Sequence, residues 1–128
     1  MIRVGKLSKL LHFHGNTIRE WGDKGPITIN DECYICFRIN PSLDRRYLSV
    51  GKSTAKKYYE NPDFDLRQIF EGYEAILTPR EVSKFLDVHP NSLRRWEIDG
   101  VVKAYRFDTR GHRRYKFNQI LNLLQKPF

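Results

Sequence analysis

Two runs of this 128-residue chain gather side chains suited to binding anions and polar edges: Asn91-Ser92-Leu93-Arg94-Arg95 and Arg110-Gly111-His112-Arg113-Arg114-Tyr115. A guanidinium is a rigid fork of N–H donors that meets two acceptors at once, and an Asn amide pairs a donor with an acceptor. Other suggestive groups lead nowhere. Cys33 and Cys36 are spaced Cys-x-x-Cys, but structural zinc takes four ligands and no second Cys or His pair lies near. Tyr34, Ile35 and Phe37 favour a β-strand there, on which positions three apart face opposite ways. Two ordinary strand thiols and no metal are expected. Gly51-Lys52-Ser53 resembles the end of a phosphate loop, yet Arg46 stands where that loop needs its first glycine. No nucleophile, base and orienting group can be assembled, so neither an enzyme nor a cofactor is expected.

The elements that must position these runs are announced by a repeat. Residues 7–27, LSKLLHFHGNTIREWGDKGPI, return as residues 82–102, VSKFLDVHPNSLRRWEIDGVV, with eight of 21 identical at a constant offset of 75. His14/His89, Asn16/Asn91, Arg19/Arg94, Trp21/Trp96 and Gly25/Gly100 are among the identities. The tripeptide Arg-Arg-Tyr follows each copy, as Arg45-Arg46-Tyr47 and Arg113-Arg114-Tyr115, at an offset of 68. Such self-similarity marks two copies of one supersecondary unit.

In the second copy Thr78-Pro79-Arg80-Glu81 carries a capping Thr, Pro at the first helical position and Glu placed to close a capping box. Val82, Phe85 and Leu86 continue a short amphipathic helix, which Asp87-Val88-His89-Pro90 breaks. A second helix runs from about residue 90 to 98, with Leu93 and Trp96 inward and Gly100 ending it. Two short helices joined by such a break form a helix-turn-helix. Val101, Val102, Ala104, Tyr105 and Phe107 then precede a turn at Asp108-Thr109-Arg110-Gly111, and residues 112–117 return as the other strand of a hairpin wing. Asn118 is placed to cap a final helix holding Ile120, Leu121, Leu123 and Leu124. The first copy predicts helices near 5–11 and 16–24, a longer wing pairing 34–39 with 46–50, and a helix near 53–60. Trp21, three residues after Ile18, is expected in the core like Trp96.

The fold class expected is therefore mainly α with small β-hairpin wings, as two tandem winged helix-turn-helix units: residues 1–60, an acidic linker at 61–75, and residues 76–128. Charge follows the same division. Residues 1–60 hold 11 basic and 6 acidic residues, 61–75 hold 1 and 4, and 76–128 hold 11 and 5, within a net charge of +8. Two basic blocks with an acidic segment between them suggest two surfaces for an anionic ligand. Nothing approaches the roughly 18 consecutive apolar residues of a membrane span. The N-terminus carries no signal-peptide pattern. A cytoplasmic, nucleoid-associated protein without a membrane partner is expected.

Residues 77–115, LTPREVSKFLDVHPNSLRRWEIDGVVKAYRFDTRGHRRY, resemble the winged helix-turn-helix of the MerR superfamily and the related excisionase-type domains. The marks are the leading Leu-Thr-x-x-Glu-Val, the turn before Ser-Leu-Arg-Arg-Trp-Glu, the Gly-Val-Val entry to the wing, and Thr-Arg-Gly-His-Arg-Arg-Tyr. MerR activators continue into a long dimerising helix and an effector-binding segment. This chain stops about a dozen residues past the wing, so no small-molecule effector is expected.

The resemblance implies double-stranded DNA as partner. Its recognition helix enters the major groove, where Asn91, Ser92, Arg94 and Arg95 would meet base edges and phosphates; a solvated polar face is the alternative. Arg110, His112, Arg113 and Arg114 surround the wing tip as phosphate or minor-groove contacts, although strand alternation keeps Arg113 and Arg114 from facing DNA together. Tyr115 would offer its hydroxyl to a phosphate or pack in the core. In the first copy the counterparts are Asn16, Thr17, Arg19, Arg45 and Arg46, with Glu20 opposite Arg95. The expected function is sequence-specific transcriptional regulation. An accessory factor of recombination, transposition or plasmid maintenance is one alternative, and an adaptor that binds a protein partner through the first unit is another. Fully extended, the linker would reach about 50 Å, enough for one chain to occupy two half-sites.

Overall fold

The computed structural model describes residues 1–106 and 108–128; Phe107, expected on the wing, lies outside the described residues. The elements in chain order are α1 (Val4–Leu11), α2 (Gly15–Lys24), β1 (Ile27–Ile29), β2 (Glu32–Ile39), β3 (Asp44–Val50) and α3 (Lys52–Glu60). A 3-10 turn at Leu66–Gln68 leads to β4 (Ile76–Leu77), α4 (Pro79–Leu86), α5 (Pro90–Ile98), β5 (Tyr105–Arg106), β6 (Arg113–Lys116), α6 (Phe117–Leu121) and β7 (Leu124–Gln125). Among the described residues helix exceeds strand, and the strands form two small antiparallel sheets.

Both helix pairs are built by the same local chemistry at the offset the sequence repeats. His12 and Asp87 end α1 and α4 in left-handed backbone, with φ of 59° and 52°. His14 and His89 then cap α2 and α5, each Nδ1 accepting the backbone N–H two residues on, at 3.1 and 3.0 Å. The capping box before α4 forms as its sequence predicts: Glu81 N–H donates to Thr78 Oγ1 at 3.2 Å, and Thr78 N–H donates to Glu81 Oε1 at 3.0 Å.

The sheets go beyond two hairpins. β2 and β3 pair in register from Cys33↔Val50 to Ile39↔Asp44, extending the expected long wing, and β1 adds a third strand. β7, from the far end of the chain, pairs β2 through Arg38↔Gln125 and Ile39↔Leu124. β5 and β6 make the short wing, with Tyr105↔Arg114 and Arg106↔Arg113, and β4 lines the other edge of β6. Asn118 is exposed inside α6 instead of capping it, because the helix already begins at Phe117.

β2 is the wall between two cores. Cys33, Ile35, Phe37 and Ile39 face a large cluster shared with Tyr58, Leu86, Leu93, Trp96, Tyr115 and Ile120, whereas Tyr34 and Cys36 face a smaller one with Leu7, Ile18 and Tyr47. The two thiols thus lie on opposite faces, both buried and both free. Burial, with the nearby charge of Asp23, pushes the Cys36 thiol up to about 12.

The segment expected as a reaching linker is folded down. Phe64 is buried, and the Phe70 ring packs on Phe37, Phe85 and Phe117 at 6.2, 5.2 and 6.2 Å. Spanning tens of ångströms would require these aromatic contacts to break.

Candidate nucleic-acid interface

α5 offers one polar side to solvent. Leu93 and Trp96 are buried, while Asn91, Arg94 and Arg95 are exposed and Ser92 is half-buried. Among the described residues no ion pair or side-chain hydrogen bond occupies the guanidinium of Arg94, Arg95 or Arg110, which leaves their donors to an external acceptor.

The wing is tied to this helix through Glu97, one residue past the buried Trp96. Its Oε2 accepts from Arg113 Nη1 at 2.9 Å and lies 3.4 Å from the Tyr115 hydroxyl, while its Oε1 accepts from Arg106 at 3.2 Å. Burial alone would raise the Glu97 carboxyl, but the bonds from Arg113 and Arg106 outweigh it and hold the group below the usual carboxylate range. At the wing turn His112 is bound to Asp108, backbone N–H to Oδ1 at 3.0 Å and ring Nδ1 to Oδ2 at 2.9 Å. The backbone N–H of His112 is the chief cause that lowers the Asp108 carboxyl.

The sequence-derived set therefore divides. Asn91, Ser92, Arg94, Arg95, Arg110 and His112 lie along one helix and one wing turn. Arg113 is half-buried on Glu97, and Arg114 is half-buried with Nη1 donating to the Arg113 carbonyl at 2.8 Å. Tyr115 takes the core place of the two its sequence position allows, and its phosphate reading is a correction: it is fully buried in the large core and cannot give its hydroxyl to a phosphate.

In the first copy the same residue types are spent internally. Arg19 Nη1 donates to Asn16 Oδ1 at 2.8 Å, Thr17 is half-buried, and Glu20 pairs with Lys24 at 3.1 Å. Arg45 makes a two-pronged bond to Asp23 at 3.1 and 2.7 Å. Arg46 is a second correction: at 1 % exposure it is no phosphate contact. Its guanidinium donates to the carbonyls of Arg45, Leu86 and Asp87, each at 2.8 Å, and so caps the end of α4 from the other copy. Arg3 reinforces that junction, with Nε 3.0 Å from the Asp87 carboxylate and Nη2 2.7 Å from its carbonyl. A buried guanidinium needs such acceptors, and a sequence repeat carries no sign of contacts between its copies.

Trp21 also departs from expectation, being 41 % exposed. The cause is Gly22, at the position of Glu97. α2 lies so close to the long sheet that a Cβ on Gly22 would sit 3.0 Å from the Tyr47 ring and 3.2 Å from Cys36. Ile18 and Gly22 take the inner face, and Trp21 is turned outward.

Residues 77–125 match the family model described as MerR HTH family regulatory protein. α4, α5, the short wing and the residues after it are thus a MerR-type helix-turn-helix regulatory domain forming part of the chain. No curated protein and no solved structure matches the chain significantly. Among the described residues no cluster of three or more His, Cys, Asp or Glu is placed to hold a metal ion, and no helix is long and apolar enough to cross a membrane.

Proposed function

We propose that the chain binds double-stranded DNA sequence-specifically as a non-catalytic transcriptional regulator, with α5 in the major groove. The observation that carries this is the pair Arg94 and Arg95, exposed on the second helix of a MerR-type helix-turn-helix with no protein partner among the described residues. Each fits guanine O6 and N7 with two hydrogen bonds, and Asn91 fits adenine. Arg110 and His112 approach the backbone from the wing. Arg113 and Arg114 act in this account by shaping the wing.

Residues 1–60 and 76–128 are two winged units of common design in this proposal, with 61–75 joining them. The first unit serves mainly as a brace. Arg46 and Arg3 hold the turn between α4 and α5, Arg45 and Glu20 are paired with Asp23 and Lys24, and Arg19 is hydrogen-bonded to Asn16. An excisionase-like accessory role has no observation of its own in its favour. Selection of bound sequences from random duplexes tests the reading. A recovered motif centred on one major groove is expected, and recovery of no motif at low salt contradicts it.

A further inference from the structure

Leu10, Phe13 and Trp21 are 56, 41 and 41 % exposed on the first helix pair, and the Phe13 and Trp21 rings meet edge to face at 5.0 Å. At the offset of 75 these positions are Phe85, Val88 and Trp96, all of which belong to or pack against the large core. Their cover is specific: the Phe85 ring is met edge-on by Phe70 at 5.2 Å and by Phe117 at 5.0 Å. One face of the repeat is covered and its counterpart is bare.

The cover supplies a template for the missing occupant. Phe70 belongs to the acidic stretch 61–75 and is followed by exposed Glu71 and Glu74. The bare face is bordered by exposed Lys6 and Lys9 on α1, while Lys24 on α2 is paired with Glu20. A second copy of the same face would set these lysines against their own likeness, whereas an acidic segment complements them. The geometry points to the Leu10–Phe13–Trp21 face as a docking site for an acidic protein segment that inserts an aromatic side chain, as Phe70 is inserted on Phe85.

The experiment uses the full chain with Trp96→Phe, which leaves Trp21 as the sole tryptophan, titrated with a synthetic peptide of residues 64–75. The expected result is a saturable blue shift of Trp21 emission with a several-fold fall in acrylamide quenching. It should be lost when both peptide phenylalanines are Ser, and weakened at least tenfold by Phe13→Asp in the protein. If Trp96→Phe does not fold, quenching of the wild-type chain reads the same event, because Trp96 is only 6 % exposed. No saturation at millimolar peptide, or saturation indifferent to the Ser substitutions, overturns the proposal. So does a response only to single-stranded oligo(dT), which would make the face a base-stacking surface. Protection that grows with protein concentration alone would assign it to a second copy. Duplex binding should be unchanged by Phe13→Asp, so failure here leaves the reading of α5 standing.

Discussion

Glu97 is the residue on which the geometry of the proposed interface turns, since it joins α5 to both strands of the wing-like hairpin. Replacing it with Gln removes the charge that Arg113 and Arg106 share, and the folded state should lose about 2 kcal/mol, the scale of hydrogen bonds to a charged group. The effect has a pH signature. The folded carboxyl titrates below its ordinary value of 4.5. Its stabilisation is therefore complete above that ordinary value and is lost as pH falls through the lower folded one. Melting curves of wild type and Glu97→Gln should differ at pH 7 and draw together in acid as the pH falls through that lowered folded value. A gap that persists unchanged into acid would place the clamp elsewhere.

At the scale of elements, the two helix pairs show how one sequence pattern yields two burial patterns. Trp96→Ala should cost about 3–5 kcal/mol, as truncation of a buried Trp does. Trp21→Ala should cost about 1 kcal/mol, because its main loss is the edge-to-face contact with Phe13. Urea titration of both variants checks this, and equal losses would mean that Trp21 is buried after all. Much of the helical frame is legible in the sequence because its determinants are local. The capping box at Thr78 and Glu81, the Pro90 start of α5 and the spacing of Leu93 and Trp96 are all written within one or two turns. What stays hidden is non-local. The pairing of β7 with β2 needs Leu124 and Ile39 to meet across 85 residues, and no periodicity encodes a partner at that distance. The exposure of Arg94 and Arg95 on α5 is legible for the same local reason. The roles of Arg46 and Glu97 are not, since a charged residue shows its partner only when the chain has closed. Gly22 carried a faint signal, being the small residue where the other copy has Glu97.

For the whole molecule, the decisive features are the shared core and the crossing strand. Val82, Leu86, Leu93 and Ile120 from one half pack with Phe37, Ile39 and Tyr58 from the other, and Lys126 donates to the carbonyls of Tyr58 and Asn61. Units of 50–60 residues are marginal alone, so heat or denaturant should melt the chain in one transition seen alike by far-UV circular dichroism and tryptophan emission. Two separated transitions would show that the halves fold independently. The net charge of +8 adds a salt-dependent attraction to any duplex, with a slope near −0.9 in log K against log salt for each phosphate contact. Charge alone gives no choice between sequences; in the proposed function that choice comes from α5. The most direct measurement is therefore the ratio of affinities for the selected duplex and a scrambled one, at fixed salt, for wild type and for Arg94→Ala and Arg95→Ala. Each substitution should lower the ratio by about 10- to 100-fold, corresponding to roughly 1–3 kcal/mol per base contact, with the scrambled duplex affected far less. An unchanged ratio in both variants would contradict the account and leave these arginines as solvated surface.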